Sequence, residues 1–405
     1  MQLPLEKIRV LDWSQYQAAP VASMMLADLG ADVIKLEDPT TGEPGRGWMK
    51  VGGITVGLPL GHNFYFDYNN RNKRAIAVDV RKEEGRQVIF RLVEKSDIFI
   101  QNYRPGLATR RQVDYQTLRR FNPGLIYVNI SGFGPKGGDA FDPGFDYLGQ
   151  ARSGILTMVS PGEEPVPAIP GAIADQLTGI IAAYACLVAL IARDHFGVGQ
   201  EVNVSLLGSM IWLEGLALAL RLGLGKGWQT RERRKMGNPL WNHYRCGDGK
   251  WLALANPQFD VYWPKVCAAL QIENLSPDLQ HARLENLKRC AEELIGVLDE
   301  TFARKPREKW LKLLKESGII CCPVNNLEDV CSDPQAWANN YFVKFEHPVL
   351  GEIDTLGIPV DFSEMPGSLG RAAPELGQHT EQILTELLDY SWEYISQLKN
   401  QGAIG

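Results

Sequence analysis

Residues 8–37, IRVLDWSQYQAAPVASMMLADLGADVIKLE, contain the first strand–helix–strand pattern of the chain. Apolar runs at 8–11 and 33–36 predict two short strands. Between them, Pro20 suits the first turn of a helix, and Gly30 is a natural residue to end it. The segment therefore predicts a β-α-β unit.

The same alternation of strands and helices continues along the chain. Further strands are predicted at 75–78, 98–100, 125–130 and 202–204. Helices are predicted at 83–95, 176–193 and 206–222. Strands that alternate with helices predict an α/β fold, with a mostly parallel sheet that is covered on both sides.

A change in composition indicates a domain boundary. Lys and Arg cluster at 224–237, so residues 1–224 are predicted to form a large α/β domain. Residues 225–335 are predicted to form a smaller α+β domain with a strand at 251–255. Residues 336–405 return to strands and turns, with a last helix at 380–388.

The composition argues against several classes of function. The chain has 405 residues, 45% of them hydrophobic, which is enough for more than one buried core. Its formal net charge of -6 argues against general nucleic-acid binding, which usually needs a basic surface. Seven cysteines without a CxxC pair predict neither disulfides nor a zinc site, and six scattered histidines predict no metal site.

The sequence predicts a cytoplasmic location. Residues 1–10 have no apolar signal core. The longest apolar run, at 180–192, is shorter than the ~20 residues that a membrane span needs, and a buried helix explains it better.

Three common catalytic or nucleotide-binding motifs are missing from the sequence. No GxGxxG follows the first strand, and the chain contains neither GxxxxGK[ST] nor GxSxG. NAD binding, P-loop chemistry and serine hydrolysis therefore have little support.

Asp175 lies between a loop rich in Pro and Gly and the predicted helix 176–193. One interpretation is an N-cap, since Asp is a preferred capping residue. The other is a nucleophile that faces a cleft, kept ionised by the helix dipole and able to attack an activated carbonyl. The sequence pattern alone does not separate the two.

Two groups of polar residues could contact an anionic ligand. The basic run 71–74 precedes a strand and is either a solvated turn or a phosphate contact. Asn102, Tyr103 and Arg104 follow the strand at 98–100, at its carboxyl end, where ligands of open α/β sheets collect. Arg110 lies a little further on.

Short segments in order over nearly the whole chain resemble the family III CoA-transferases, the group that contains formyl-CoA transferase and carnitine CoA-transferase. The segments are 10–12 (VLD), 17–20 (QAAP), 29–37 (LGADVIKLE), 72–76 (NKRAI), 102–106 (NYRPG), 131–134 (SGFG), 174–179 (ADQLTG), 199–200 (GQ) and 376–380 (LGQHT). Each is weak alone, but the ordered set is specific.

The resemblance implies a transfer of CoA from an acyl-CoA to a carboxylic acid. Asp175 matches the family nucleophile, which passes through an acyl-aspartyl anhydride and an aspartyl-CoA thioester. Gln17, or the adjacent backbone N–H groups, is expected to stabilise the oxyanions. The expected CoA contacts are Ala18, Asn102, Tyr103, Arg104, Arg110 and, bordering the adenine, Val78, Asp79, Val80 and Arg81.

The resemblance also implies an architecture and a set of partners. The expected fold is an interlocked dimer of ring-like chains, each with a Rossmann-like CoA-binding domain and a small domain. Coenzyme A or acyl-CoA is expected as a substrate, with no permanently bound cofactor and no metal. A homodimer is expected, and a heterodimer is the alternative. No nucleic acid or membrane is implied as a partner.

Departures from the family pattern concern the substrate. Residues 236–242 (MGNPLWN) replace the glycine run with which formyl-CoA transferase closes its site, so oxalate and formate are in doubt. Trp241, Tyr244 and Trp263 would suit a larger or more apolar acid if they line the acyl pocket; otherwise they are core residues.

Two other functions remain as alternatives. An α-methylacyl-CoA racemase shares the fold but needs a His beside an Asp, where this chain has Phe145 and Asp146, and Phe cannot exchange protons. The chain could also be a non-catalytic CoA-binding subunit of a hetero-oligomer, against which the presence of Asp175 argues.

Overall fold

The chain forms two units, each with its own sheet. A computed structural model describes residues 2–162, 164–228, 230, 232–272, 275, 277–280, 282–283 and 287–405. Unit 1 comprises Met1–Thr157, Val166–Trp228 and Asn339–Gly405, and unit 2 comprises Met158–Pro165 and Gln229–Ala338. The structure differs from the predicted domain bounds in three places: residues 158–165 and 336–338 belong to unit 2, and residues 225–228 belong to unit 1.

Strands and helices alternate through the first half of the chain. The strands are β1 Arg9–Trp13, β2 Asp32–Glu37, β3 Lys50–Val51, β4 Ile54–Thr55, β5 Arg74–Ala77, β6 Ile98–Gln101, β7 Ile126–Ser131, β8 Gln200–Ser205, β9 Trp241–Arg245, β10 Trp251–Ala255, β11 Cys321–Val324, β12 Phe342–His347 and β13 Gly351–Leu356. The helices are α1 Ala18–Asp28, α2 Phe64–Asn70, α3 Glu83–Val93, α4 Leu107–Arg110, α5 Tyr115–Leu118, α6 Asp146–Ser153, α7 Ile155–Met158, α8 Ile173–Phe196, α9 Leu206–Leu213, α10 Gly215–Leu224, α11 Phe259–Leu270, α12 Pro277–Gln280, α13 Leu287–Phe302, α14 Arg307–Glu316, α15 Leu327–Cys331, α16 Pro334–Ala338, α17 Thr380–Leu388 and α18 Trp392–Asn400.

The main sheet of unit 1 has six strands in the order β5-β2-β1-β6-β7-β8, and every neighbouring pair is parallel. The prediction of a parallel α/β sheet is thereby confirmed. The chain first winds outward from β1 through β2 to β5, and then returns to the other side of β1 with β6. The switch in winding direction therefore lies between β1 and β6, where the two strand ends leave a crevice.

Helices cover both faces of this sheet. Leu11, Phe99 and Tyr127 pack on one face in a buried cluster with residues of α3, α17 and α18. Val10 and Ile98, which alternate with them, are equally buried, so the opposite face is covered as well. Helices α1 and α8 contact each other and strands of the sheet.

Helices α1 and α8 pack against each other at Gly179. A Cβ atom at this position would come within 2.6 Å of the Cγ1 atom of Val21 and 2.8 Å of the carbonyl oxygen of Ala18. Only a glycine permits so close an approach. This close packing of the two helices brings the first turn of α8 next to the first turn of α1.

The apolar helices differ from the prediction in two respects. The predicted helix 206–222 is two helices, α9 and α10, separated at Glu214 and bent by 78°. The helix predicted at 176–193 is longer in the structure, where α8 has 24 residues. By length and composition alone, this helix could cross a membrane. Its contacts with α1, α9, β7 and β8 account for the apolar residues on one side of this helix.

The basic run at 71–74 is neither a solvated turn nor a phosphate contact. Arg71 is buried and pairs with Asp28 at 2.7 Å, and Arg74 pairs with Asp32 at 2.7 Å. Lys73 is fully buried, with its Nζ atom 2.8 Å from Oδ2 of Asp12. These side chains are already neutralised within unit 1.

Unit 2 contains the antiparallel sheet β11-β10-β9, packed against helices around a core of its own. Tyr244 and Trp263 lie in this core, where Tyr244 donates to the carbonyl oxygen of Pro239 at 2.6 Å and Trp263 to that of Leu279 at 3.0 Å. Placing these two aromatics in an acyl pocket is therefore wrong. Trp241 is exposed.

Candidate active site

A cleft opens at the switch point of the main sheet. Its lining includes residues 15–18, which follow β1, and residues 102–105, which follow β6. The cavity volume is about 100 Å³. The cleft thus lies at the carboxyl ends of neighbouring parallel strands, the position that ligands of open α/β sheets occupy.

The opposite wall is made by two loops that touch at glycines. Residues 131–132 and 142–145 line the cleft. A Cβ atom on Gly132 would lie 2.7 Å from the Cα atom of Gly144, and one on Gly144 would lie 2.3 Å from that of Gly132. Neither position accepts a larger residue without displacement of the backbone.

Asp175 lines this cleft from the first turn of α8. Helix α8 begins at Ile173, so Asp175 is its third residue, and the N-cap is Ala172 in a left-handed conformation with φ 52°. The interpretation of Asp175 as the N-cap is therefore wrong. The half-buried carboxylate faces the cleft lining while its backbone belongs to the helix.

Asp146 provides the cap that α8 otherwise lacks. Its Oδ1 atom accepts hydrogen bonds from the N–H groups of Ala174 at 2.7 Å and Asp175 at 3.2 Å. Burial, followed by the charge of Asp146, raises the pKa of Asp175 to about 7. The expectation that the helix dipole keeps Asp175 ionised is thereby contradicted, because another carboxylate occupies the helix N-terminus.

Gln17 and Ala18 bring the start of α1 to the same cleft. Gln17 is the N-cap of α1 but makes no side-chain capping hydrogen bond, and its Nε2 atom lies 3.4 Å from Oε1 of Gln176. The residue before it, Tyr16, has φ 63°, a strained conformation for a non-glycine residue. The N–H group of Tyr16 donates to Glu43 at 2.9 Å, which holds this turn in place.

Asn102, Tyr103 and Arg104 also line the cleft, as their position after β6 predicted. The side chain of Asn102 pairs with the backbone of Gln15, accepting from its N–H at 2.9 Å and donating to its carbonyl oxygen at 2.7 Å. The ring of Tyr103 packs against that of Trp13, with ring centroids 4.3 Å apart and ring planes tilted by 32°. Arg104 is exposed and brings a positive charge to the lining.

The remaining predicted CoA contacts lie outside this lining. Val78 and Asp79 are buried at the end of β5, the edge strand, followed by Val80. Arg81 bonds Asp79 at 2.7 Å and pairs with Asp38 at 2.8 Å. Arg110 is exposed at the end of α4.

Several cleft features escaped the sequence analysis. Phe145 entered the sequence analysis only because it stands where a racemase has a basic His. In the structure it is an exposed residue of the cleft lining, and its ring centroid lies 6.3 Å from that of Tyr16. The role of Asp146 arises between residues almost thirty positions apart, so no local pattern signals it. The glycine pair Gly132 and Gly144 was visible in the sequence, but its close approach requires the fold.

The site has the composition of an acid–base or nucleophilic centre. Across the residues that the structure describes, no three His, Cys, Asp or Glu side chains are grouped so that they could hold a metal ion. The structure describes all seven cysteines, and none of them forms a disulfide. Two carboxylates, Asp142 and Asp175, line the cleft together with amide, hydroxyl and guanidinium groups, and a carboxylate there can act as a base or as a nucleophile.

Comparison with known proteins gives one consistent result. A sequence model described as CoA-transferase family III matches residues 5–380. The succinyl-CoA:glutarate CoA-transferase of Mus musculus is 33% identical over 99% of this chain and 90% of its own. The succinyl-CoA–L-malate CoA-transferase alpha subunit of Chloroflexus aurantiacus is 31% identical over 100% of this chain and 93% of its own length.

A solved structure shows the same fold. The crystal structure of a CAIB/BAIF family protein from Brucella suis superimposes with a TM-score of 0.83 at 29% identity. The superposition covers 96% of this chain and 100% of the Brucella suis chain.

Proposed function

The chain belongs to CoA-transferase family III, and on that premise we propose that it transfers CoA through a covalent intermediate on Asp175. The observation that carries this proposal is the position of Asp175. Its carboxylate lines a cleft at the switch point of the sheet, and the N–H groups of its own helix turn are bonded to Asp146 instead. A carboxylate so placed is free to attack a thioester bound in the cleft.

The proposed reaction consists of four balanced displacements. The Asp175 carboxylate attacks the donor acyl-CoA and expels CoA thiolate, which leaves an acyl-aspartyl anhydride. The thiolate attacks the aspartyl carbonyl, releases the donor acid and forms the aspartyl-CoA thioester. The acceptor carboxylate then expels CoA to give a second anhydride. CoA attacks the acyl carbonyl of that anhydride, so the acceptor leaves as acyl-CoA and Asp175 is regenerated.

The start of α1 is the proposed oxyanion site. Gln17 carries an amide donor whose hydrogen bond to Gln176 is long, at 3.4 Å, and its backbone begins the uncapped α1. The positive end of a helix dipole favours the negative charge that develops on the thioester oxygen. The side chain of Gln17 and the N–H group of Ala18 are assigned this role.

The proposed CoA contacts divide into two groups. Asn102, Tyr103 and Arg104 lie beside Asp175 in the cleft lining, where the thioester end would bind. The residues from Val78 to Arg81, together with Arg110, are assigned to the adenine and phosphate end on the family resemblance alone. CoA is a substrate in this scheme, and no permanent cofactor takes part.

The relatives suggest which substrates to test first. Both curated relatives described above are named for succinyl-CoA, one with glutarate and the other with L-malate. A large apolar acid has less support as the substrate, because Tyr244 and Trp263 are core residues of unit 2. Succinyl-CoA is therefore the proposed donor, with a dicarboxylic acid as the acceptor.

Racemase chemistry is disfavoured by the same geometry. Phe145 has no proton to exchange, and the Asp146 carboxylate is bonded to Ala174, Asp175 and Gln150. A two-base mechanism would therefore lack its second base.

A dimer is the proposed assembly, most simply of two identical chains. Helix α8 exposes Ile180, Tyr184, Val188 and Ile191 on its outer side, and such apolar patches commonly mark protein interfaces. A related chain is named as an alpha subunit, which keeps the heteromeric arrangement as the alternative. A cytoplasmic location is proposed, in keeping with seven cysteines that form no disulfide in the structure.

Product analysis tests the transfer. The purified chain is incubated with succinyl-CoA and either glutarate or L-malate, and CoA esters are separated by liquid chromatography. The new ester should form with the native chain and with Asp139→Asn, whose side chain pairs with Arg152 on the surface. With Asp175→Asn, the rate should fall by about a thousandfold or more. A folded native chain that binds CoA but exchanges none, with these or other donors, would instead indicate a non-catalytic subunit.

A further inference from the structure

Asp146 lies behind Asp175 and is held there from two sides. Its Oδ1 atom accepts from the N–H groups of Ala174 and Asp175 in the first turn of α8. Its Oδ2 atom accepts from Nε2 of Gln150 at 2.6 Å. The Oε1 atom of Gln150 in turn accepts from the N–H group of Ile169 at 2.8 Å, in the loop before α8. The carboxylate of Asp146 is therefore fixed in position and orientation.

Asp146 takes the place of the N-cap side chain that usually accepts hydrogen bonds from the first turn of a helix. The N-cap residue Ala172 has no side chain that could accept a hydrogen bond. An acidic residue at the third position commonly turns back toward the N-terminus of its own helix, where the dipole stabilises its charge. Asp175 occupies that third position, but Asp146 already bonds the N–H groups there.

We propose that Asp146 is a positioning residue for the covalent step: it occupies the α8 N-terminus in place of Asp175, and it sets a second negative charge behind the nucleophile. The Asp175 carboxylate is thereby left unpaired toward the cleft, where the thioester binds. This inference rests on the proposed role of Asp175 as the nucleophile.

The electrostatic surroundings of Asp175 support the same role. Burial first, and then the charge of Asp146, raise the pKa of Asp175, and a more basic carboxylate is a stronger nucleophile once ionised. The other titratable or charged groups near Asp175 are Tyr65 of α2 and the cleft residues Tyr16, Tyr103, Arg104 and Asp142.

The experiment measures how fast the covalent adduct forms as a function of pH. Asp146→Asn and Asp146→Ser each keep an oxygen that can cap α8 but remove the charge. Asp139→Asn removes a surface charge a few residues away and serves as the matched control. Adduct formation with succinyl-CoA is followed by rapid mixing and intact-protein mass spectrometry between about pH 5 and pH 9, and near-ultraviolet circular dichroism checks the fold.

The two variants should shift the midpoint of the acid limb downward by about one pH unit, since the neighbouring negative charge is gone. Their rate at high pH should fall about tenfold, and Asp139→Asn should follow the native profile. An unchanged midpoint in both variants would overturn the role of Asp146 while leaving the aspartyl mechanism intact. Loss of the fold in both variants would also overturn it, because Asp146 would then be needed for folding. No adduct in the native chain would overturn the proposed function itself.

Discussion

At the scale of single residues, the protonation state of Asp175 decides what the site can do. A nucleophilic carboxylate must be ionised, yet burial and Asp146 raise its pKa to about 7. A substantial fraction of the free enzyme is thus protonated near neutral pH. The consequence is a rate that depends on pH in a range where ordinary carboxylates are fully ionised.

We expect kcat/KM for the acyl-CoA donor to rise with pH and to level off above about pH 8. Below about pH 6 it should fall roughly tenfold per unit, because only the ionised form of Asp175 attacks. Steady-state kinetics at varied donor concentration provide the measurement. A profile that stays flat down to pH 5 would show that no group with this pKa limits the attack.

The ion pair between Asp12 and Lys73 is a second feature at this scale. Both residues are fully buried, and burial lowers the pKa of Lys73 to about 8 although Asp12 opposes this shift. Burial alone would raise the pKa of Asp12, but Lys35 and Lys73 outweigh it and lower that pKa to about 2. The pair is therefore ionised near neutral pH and joins β1 to the segment before β5.

Replacement of Lys73 by Met should lower the free energy of unfolding by about 3–5 kcal/mol, because it removes the closer of the two cations that pair with the buried Asp12 carboxylate. Lys344→Met, which breaks an exposed pair with Asp354 at 2.7 Å, should leave the free energy of unfolding almost unchanged. Urea denaturation of both variants at pH 7 provides the comparison. Equal losses in the two variants would contradict the distinction between buried and exposed pairs.

At the scale of elements, the contact of α1 with α8 places Gln17 and Asp175 at one cleft. Gly179 makes this contact possible, since any Cβ would meet Val21 and the carbonyl of Ala18. The relative position of the two helix N-termini, and therefore of the proposed nucleophile and oxyanion site, depends on this one residue.

Gly179→Ala should destabilise the protein by about 1–3 kcal/mol through overpacking, although alanine favours helices. Gly223→Ala in α10, where a Cβ would meet nothing within 4 Å, should be neutral or slightly stabilising. Thermal unfolding of the two variants tests the difference. A stabilised Gly179→Ala would show that the helices can separate freely at this point.

The elements also show how far the sequence could predict the structure. The six strands of the main sheet could be found because parallel strands are short runs rich in apolar residues between turn residues, whereas the short antiparallel strands β3 and β4 were not predicted. The break at Glu214 could not, because the apolar run continues across it and contains no proline. The burial of Arg71 and Lys73 was not predicted either. Their charges indicated exposed side chains or ligand contacts, whereas in the fold they pair with acidic residues that are distant in the sequence.

The site was predictable in parts that depend on strand order. Residues after β1 and β6 had to meet once the two strands were neighbours, and Asn102, Tyr103 and Arg104 do line the cleft. The cap that Asp146 provides was not predictable, because it joins the first turns of α6 and α8, whose approach is set by the packing of these two helices.

At the scale of the whole molecule, an exposed apolar surface distinguishes α8 from an ordinary core helix. One side of the helix packs on α1 and the sheet, while Tyr184 and Ile191 are 66% and 58% exposed. Residues of this kind are seldom left in water on a monomer. The surface supports the proposed dimer.

The chain should sediment as a dimer, and Tyr184→Asp combined with Ile191→Asp should shift it toward the monomer by placing charges in the interface. Leu327→Asp, at an exposed position in unit 2, should leave the dimer intact. Analytical ultracentrifugation over a range of concentrations measures the change. A native chain that remains monomeric at micromolar concentration would rule out the proposed assembly.

The decisive measurement is intact-protein mass spectrometry of the native chain and Asp175→Asn after incubation with succinyl-CoA. The native chain should gain the mass of a CoA or acyl adduct, and hydroxylamine should remove it, since anhydrides and thioesters react with this nucleophile. The adduct should map to the peptide that contains Asp175 and should be missing from the variant. An adduct of equal yield on Asp175→Asn, or transfer by the native chain without any covalent species under rapid quenching, would contradict aspartyl catalysis.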